Sequence, residues 1–93
     1  MIVSFSCKET RKVSLGEYSK LWDINVRRIA MRRLDYLDSA ISLEDLRIPP
    51  SNRLHPLKGN LNGYHSISIN MKWRIVFIWK DGNAHDVKIT DYH

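Results

Sequence analysis

The second half of the chain alternates between apolar and polar residues with a period of two, which is the pattern of β-strands. Such runs are "YHSISIN" from residue 64 and "WRIVFIW" from residue 73, and the second is apolar at nearly every position. Asp81 and Gly82 form a favoured two-residue hairpin turn before the next run, "AHDVKIT". An earlier run, "RLHPLK", contains a proline that suits an edge strand. We therefore predict a four-strand antiparallel meander with residues 73–79 as a central strand.

The first half of the chain carries helical spacing instead. A strand-like "IVSF" is followed by a brief helix from Lys8 to about Ser14. A longer helix, capped by Asp23 or Asn25, is expected to run to about residue 40. Its predicted buried stripe consists of Val26, Ile29, Ala30, Leu34, Leu37 and Ile41.

The length of 93 residues is enough for one domain with a thin core. We predict that residues 1–93 form a single α+β domain, in which an N-terminal strand and two helices pack on one face of a mainly antiparallel β-sheet meander. The opposite face of the sheet would keep polar side chains. A functional site is expected on that face, because so small a domain has no room for a deep cleft.

The charge balance favours a polyanionic partner. Fifteen Lys and Arg against ten Asp and Glu leave a net charge of +5, which suits RNA, DNA or an acidic protein segment, although many small basic proteins bind no nucleic acid. The longest uncharged apolar run, Ile75–Trp79, is too short to span a bilayer, so no membrane partner is expected. The start shows no signal-peptide pattern and Cys7 is the single cysteine, so the simplest interpretation is a cytoplasmic protein.

Arg74 needs an explanation, because it interrupts the apolar run "WRIVFIW". A guanidinium stays charged, so a partly buried one requires an anion. Two interpretations remain open at this point: a salt bridge to Asp86 or Asp91, or a clamp for a bound phosphate. By strand alternation, Arg74 is predicted to meet Ser66, Ser68 and Tyr92 on one exposed, polar face of the sheet.

RNA can be cut without a metal when its 2′-hydroxyl attacks the adjacent phosphate. The reaction needs a general base at the 2′-oxygen, a general acid at the leaving 5′-oxygen and positive charge near the phosphoryl oxygens. Side chains able to supply these functions are His55, Lys58, Arg74, Asp91, Tyr92 and His93. By itself this set is weak support, because chains of this length often contain such residues.

No metal or other cofactor is expected. Cys7 has no partner at zinc-ligand spacing, the carboxylates are scattered, and the glycines stand at turns and form no phosphate-binding loop. His65 lies on an apolar strand face, so we expect it to be a packing residue with its hydrogen bonds satisfied.

The helical stretch "VRRIAMRR" concentrates four arginines. They form either a solvated face, with Arg32 paired to Asp35, or a contact surface for an RNA backbone. On the second interpretation, Arg28 and Arg32 are candidate RNA-binding residues, together with His55 and Ser68.

Four motifs, "LEDLRIPPSNRLHPLKG", "GYHSISIN", "WRIVFIW" and "DVKITDYH", occur in this order and together resemble the HigB family of bacterial toxins, within the RelE-like group of toxin–antitoxin systems. The resemblance implies a RelE-like fold and a metal-independent endoribonuclease that cuts mRNA in the ribosomal A site. It also implies a HigA-like antitoxin with a helix-turn-helix domain. Operator DNA would be bound only indirectly, through that antitoxin.

The resemblance extends to individual residues. Those that match the family's functional positions are Lys58 of "HPLKG", Arg74 of "WRI", and Asp91, Tyr92 and His93 of "DYH", with His55 matching less firmly. Two positions depart from the family pattern: Asn60 stands where some relatives have an acidic residue, and Ser68 where many have a basic one. The second departure affects one possible contact to RNA, which a basic residue would make, and does not affect the fold.

We interpret Arg74 and Lys58 as the cations that neutralise the scissile phosphate. His93 would assist proton transfer, oriented by Asp91, and Tyr92 would position a base or the phosphate. Which group is the general base stays open, and Lys58 is one candidate. The alternative is a non-catalytic basic binding module, or a transcriptional co-repressor that acts with a helix-turn-helix partner.

Overall fold

The structure, a computed structural model, describes residues 1–92 and has the predicted α+β architecture. The elements are α1 Lys8–Ser14, α2 Ile24–Ser39, β1 His55–Pro56, β2 His65–Ser68, β3 Trp73–Lys80 and β4 Asn83–Asp91. Single 3-10 turns lie between α2 and β2, at Leu43–Arg47, Pro50–Asn52 and Gly59–Leu61. His93 lies outside the described residues. None of the helices within residues 1–92 has the length and apolar character needed to cross a membrane.

The four strands form one antiparallel sheet in the order β1-β2-β3-β4, so β3 is interior and β1 is an edge, as predicted. Asp81 and Gly82 both have positive φ, +54° and +77°, as the tight hairpin between β3 and β4 requires. The N-terminal segment is less regular than predicted. It pairs in parallel with β4 only through isolated bridges from Ile2 and Phe5.

The long helix begins where its cap predicts and ends one residue early. The Asp23 carboxylate accepts a hydrogen bond from the Val26 N–H at 2.9 Å, which satisfies one of the unpaired donors of the first turn. The backbone at Ala40 is extended, so Ile41 leaves the helix and is 85% exposed. The prediction that Ile41 belongs to the buried stripe is therefore wrong.

The core lies between the helices and one face of the sheet. Strand register puts Ile67, Ile75 and Ile89 side by side on that face, and all three are buried in one cluster with residues of both helices. The helical members of the cluster are Val13 of α1 and Ala30, Leu34 and Leu37 of α2. The opposite face of the sheet is therefore turned away from the helices, as predicted.

His65 lies at the edge of this core, with its ring stacked on Phe77 at 6.2 Å between centroids. Its Nδ1 is buried and has no hydrogen-bond partner, so the expectation of a satisfied packing histidine is only half right. Burial lowers the pKa of His65, with a smaller contribution from the neighbouring His55.

This shift predicts a loss of stability on acidification. Because the pKa of His65 is lower in the folded state, the unfolded chain binds more protons below about pH 6.5, and the free energy of unfolding falls as the pH decreases through that region. His65→Phe is expected to flatten the decrease between pH 7.5 and 5.5 in denaturant titrations. The carboxyl pKa values of Glu9 and Asp45 are also lowered. These two groups reduce the free energy of unfolding only near and below their ordinary pKa values of 4.5 and 3.8. An equally steep decrease in the variant would contradict the prediction.

Candidate active site

The pairing of the strands assembles the predicted polar face. Residues directly opposite each other in neighbouring strands project to the same side of a sheet. One row across the sheet consists of His55, Ser66, Val76 and Lys88, and the next of Ser68, Arg74 and Thr90. His55, whose side the sequence leaves open because of Pro56, thus lies on the same face as Arg74.

Part of this face is buried, contrary to the prediction of an exposed one. Ser66 and Val76 have no exposed surface, and Ser68 is 7% exposed. Ser66 lies opposite His55 and Val76 lies opposite Lys88, so each of these small residues has a longer side chain beside it in the sheet. The Ser68 hydroxyl donates to the Asn70 carbonyl at 3.1 Å, so it is engaged within the protein.

Arg74 stacks on Tyr92 and forms no ion pair within residues 1–92. Its Cζ atom lies 5.0 Å from the centroid of the Tyr92 ring, and Tyr92 is held in place by its backbone N–H, which donates to the Lys72 carbonyl at 3.0 Å. The Nε atom of Arg74 is buried without a hydrogen-bond partner. Within residues 1–92, ion pairs form at Lys12–Glu9 and Arg47–Glu44, and no carboxylate pairs with Arg74. A bound anion therefore suits this position better than the salt-bridge interpretation.

A shallow groove runs beside this pair. A cavity of about 280 Å³ is lined by Arg53, His55, Asn70, Met71 and Tyr92. A second cavity, of about 310 Å³, shares Arg53, Asn70 and Met71 with the first and adds Arg33, Ser51, Ser68 and Ile69. We call the two cavities together the groove. The cationic side chains in its walls suit a nucleic-acid backbone.

The backbone fixes the tautomer of His55. Its Nδ1 lies 2.8 Å from the carbonyl oxygen of Arg53. Because a carbonyl oxygen only accepts, Nδ1 carries the hydrogen, and the neutral ring presents its lone pair at Nε2. Arg53 has a left-handed backbone, with φ and ψ both 49°, which is uncommon away from glycine and asparagine. His55 is therefore oriented with Nε2 available to accept a proton.

For Lys58 and Asp91, two of the other predicted catalytic residues, the structure gives the exposure and the position in the chain fold. Lys58 is exposed and directly precedes the turn Gly59–Leu61, three residues beyond His55. Asp91 ends β4 opposite Trp73 and is partly buried. The predicted role of His93 falls on the residue outside the described range. These assignments remain predictions.

The helical arginines of α2 differ in whether they reach the groove. Arg28 and Arg32 are exposed on α2, whose buried side packs on the face opposite Arg74. The structure thus does not bring Arg28 or Arg32 together with Arg74. Arg33 and Arg53, which sequence reasoning did not select, line the groove instead. No signal in the sequence singles out Arg53, because its position depends on the connector between α2 and β1.

No metal site is evident in the part of the chain that the structure describes. Within residues 1–92, no three side chains of the types His, Cys, Asp or Glu come together closely enough to hold a metal ion.

Comparison with known proteins identifies the family. A family model described as "RelE-like toxin of type II toxin-antitoxin system HigB" matches residues 15–93. The chain belongs to the HigB-like toxin family. It is 45% identical over 60 residues to Toxin HigB-1 of Vibrio cholerae serotype O1, and 39% identical over 61 residues to Endoribonuclease HigB of Proteus vulgaris. The alignments cover 64% and 66% of this HigB-like chain, and 63% and 65% of the lengths of the two relatives.

A solved structure supports the fold of this HigB-like chain. The YoeB–YefM complex from Staphylococcus aureus contains a chain that superposes with a TM-score of 0.60 at 20% identity. The match covers 100% of this chain and 98% of that one. The predicted RelE-like fold is thereby confirmed, and so is the resemblance to the HigB family on which that prediction rested.

Proposed function

We propose that this HigB-like chain is the toxin of a type II toxin–antitoxin system and acts as a metal-independent endoribonuclease on mRNA in the ribosomal A site. The observation that carries the proposal is the Arg74 guanidinium, which is stacked on Tyr92 and forms no ion pair within residues 1–92. It lies on the same sheet face as a histidine whose Nε2 is available. The two relatives, Toxin HigB-1 and Endoribonuclease HigB, support the same activity.

The proposed reaction transfers one phosphoryl group within the RNA. The 2′-oxygen attacks the adjacent phosphorus while a general base removes its proton, and the bond to the 5′-oxygen breaks as a general acid protonates that oxygen. The products are a 2′,3′-cyclic phosphate and a 5′-hydroxyl end. Arg74 and Lys58 stabilise the negative charge that develops on the phosphoryl oxygens.

Three side chains are available for the two proton transfers. His55 has an oriented Nε2, His93 follows Tyr92 in the sequence, and Lys58 is the third candidate. Asp91 orients His93 or an RNA hydroxyl, and Tyr92 positions a nucleobase or the scissile phosphate. Ser68, Arg28 and Arg32 are retained as RNA contacts, the last two on the helical side of the protein.

The ribosome would align the reacting atoms of the RNA, which a shallow groove does not do by itself. In-line attack requires the 2′-oxygen, the phosphorus and the leaving oxygen to be aligned, and a message held in the decoding site is already constrained. We therefore expect purified protein to cut ribosome-bound mRNA well and free RNA poorly. Primer extension on matched transcripts, with and without ribosomes, measures both rates, and equal rates would contradict ribosome dependence.

The general mechanism is tested by mapping mRNA 5′ ends in cells after expression of the wild type and of His93→Ala. New ends within coding frames are expected for the wild type and are expected to be lost in the variant. A wild type that arrests growth without new ends would contradict the nuclease proposal. It would favour the binding-module alternative.

The proposed partners are a HigA-like helix-turn-helix antitoxin, the ribosome with its rRNA, and mRNA, all met in the cytoplasm. The family's description as a toxin of a type II toxin–antitoxin system supports an antitoxin partner. Operator DNA would be bound only through the antitoxin.

Lys58→Ala distinguishes the proposed endoribonuclease from a non-catalytic binding module. The variant should no longer arrest growth and should still co-purify with the antitoxin.

A further inference from the structure

Within residues 1–92, the partners that hold the guanidinium of Arg33 in place are neutral groups. Its Nη1 donates to Asn52 Oδ1 at 2.5 Å and its Nη2 donates to Ser51 Oγ at 3.2 Å. Its Nε is buried and has no hydrogen-bond partner. Within residues 1–92 no carboxylate pairs with it. Among residues 1–92, this positive charge is thus held in place by neutral hydrogen-bond partners.

Asn52 makes this arrangement rigid. It is fully buried, and its Nδ2 donates to the carbonyls of Leu46 at 3.0 Å and Ile48 at 3.3 Å. Those two bonds orient the amide so that Oδ1 faces Arg33. An arginine that is already oriented loses little conformational entropy when it binds an anion, so the site is preorganised.

The surroundings of Arg33 favour an anion. The cavity of about 310 Å³ that it lines also contains Arg53 and no carboxylate. The remaining walls are neutral, from Ser51, Ser68 and the turn between β2 and β3. Two guanidinium groups around one open cavity are typical of a phosphate site.

This cavity lies next to the proposed site of cleavage. Ser68 lines the cavity and is paired with Arg74 across β2 and β3, and Cα atoms of such a pair are about 4.5–5.5 Å apart. The two cavities of the groove also share Arg53. A single strand of RNA bound at Arg74 can therefore continue along the groove toward Arg33.

We propose that Arg33 and Arg53 form a second phosphate-binding site, which holds a phosphodiester of the RNA flanking the one that is cut. This inference rests on the proposed function, because it assumes that RNA occupies the groove. Its role is to fix the direction and register of the strand, so that the bond at Arg74 is presented for attack.

The test uses Ser51→Asp, which places a carboxylate beside Arg33 at an exposed position and so neutralises the site without removing Arg33. Ser51→Asn is the neutral control of similar size. Arg11→Gln, on the exposed surface of α1, lowers the net charge by the same one unit far from the groove. The probe is a fluorescent 2′-O-methyl RNA hexamer, which cannot be cut because its 2′-oxygen is blocked.

Anisotropy titrations at several salt concentrations give the affinity and its salt dependence. Ser51→Asp is expected to bind about 10-fold more weakly, and its log–log slope against salt should be smaller by about 0.7, the value for one lost phosphate contact in a single strand. Ser51→Asn and Arg11→Gln should keep the wild-type slope. Arg33→Gln should reproduce the effect of Ser51→Asp, and the Nε–H NMR resonance of Arg33 should shift on addition of the hexamer to the wild type.

An unchanged slope in Ser51→Asp, or an Arg33 Nε–H resonance that does not move, would overturn the second site. Cleavage of ribosome-bound mRNA by the wild type, measured separately, would then still support the proposed function. A wild type that neither binds the hexamer nor cuts mRNA would overturn both. The two failures are thus distinguishable.

Discussion

Arg74→Gln is expected to slow mRNA cleavage by about 10²–10³-fold, the usual cost of removing one preorganised group that stabilises developing negative charge. The reason is that Arg74 is half-buried and already stacked on Tyr92, so its charge is fixed in place before substrate binds. Arg74→Lys keeps the charge but loses the planar guanidinium and its paired donors, so an intermediate loss is expected. Single-turnover cleavage of ribosome-bound mRNA measures the effect.

Stability measurements separate this role from a structural one. If Arg74 served the fold, its removal would lower the free energy of unfolding. Because its buried Nε has no partner, we expect Arg74→Gln to leave that free energy unchanged or to raise it. A variant that is inactive and also clearly destabilised in urea would indicate a structural arginine. Arg11→Gln serves as the charge-matched control for both measurements.

The sheet could be predicted from the sequence because its signals are local and consistent. The Asp81–Gly82 turn sets the register of β3 against β4, and alternation then assigns each side chain to a face. These local signals are sufficient to place Arg74 beside Tyr92, a contact that the structure contains. The prediction that this face is exposed was wrong for Ser66 and Val76, which are buried. Their burial depends on the size of their neighbours across several strands.

The helical arginines show a second limit of sequence reasoning. Arg32 and Arg33 are adjacent, yet one step along a helix turns a side chain by about 100°. Arg32 is exposed on the helix surface, and Arg33 reaches Asn52 in the connector. The pattern shows that both avoid the apolar stripe, but the path of the connector decides which one faces the groove.

His55→Asn is expected to lower cleavage by about 10²–10⁴-fold, the range for loss of a general acid or base, with RNA affinity within a factor of about three, because no phosphate cation is lost. The Asn amide nitrogen can replace Nδ1 as donor to the Arg53 carbonyl, a contact of 2.8 Å in the wild type. The asparagine side chain has no atom that corresponds to Nε2 of the histidine. The comparison therefore removes the proton acceptor and keeps the local structure.

The result of His55→Asn also assigns the proton transfers. If the variant binds the hexamer but does not cut ribosome-bound mRNA, Nε2 takes part in catalysis, and His93 or Lys58 supplies the other proton transfer. If the variant cuts at the wild-type rate, His55 is limited to an RNA contact, and the base and acid must both come from Lys58 and the C-terminal residues Asp91–His93. Parallel measurements on Lys58→Ala and His93→Ala complete the assignment, because loss of the true base should dominate any double variant that contains it.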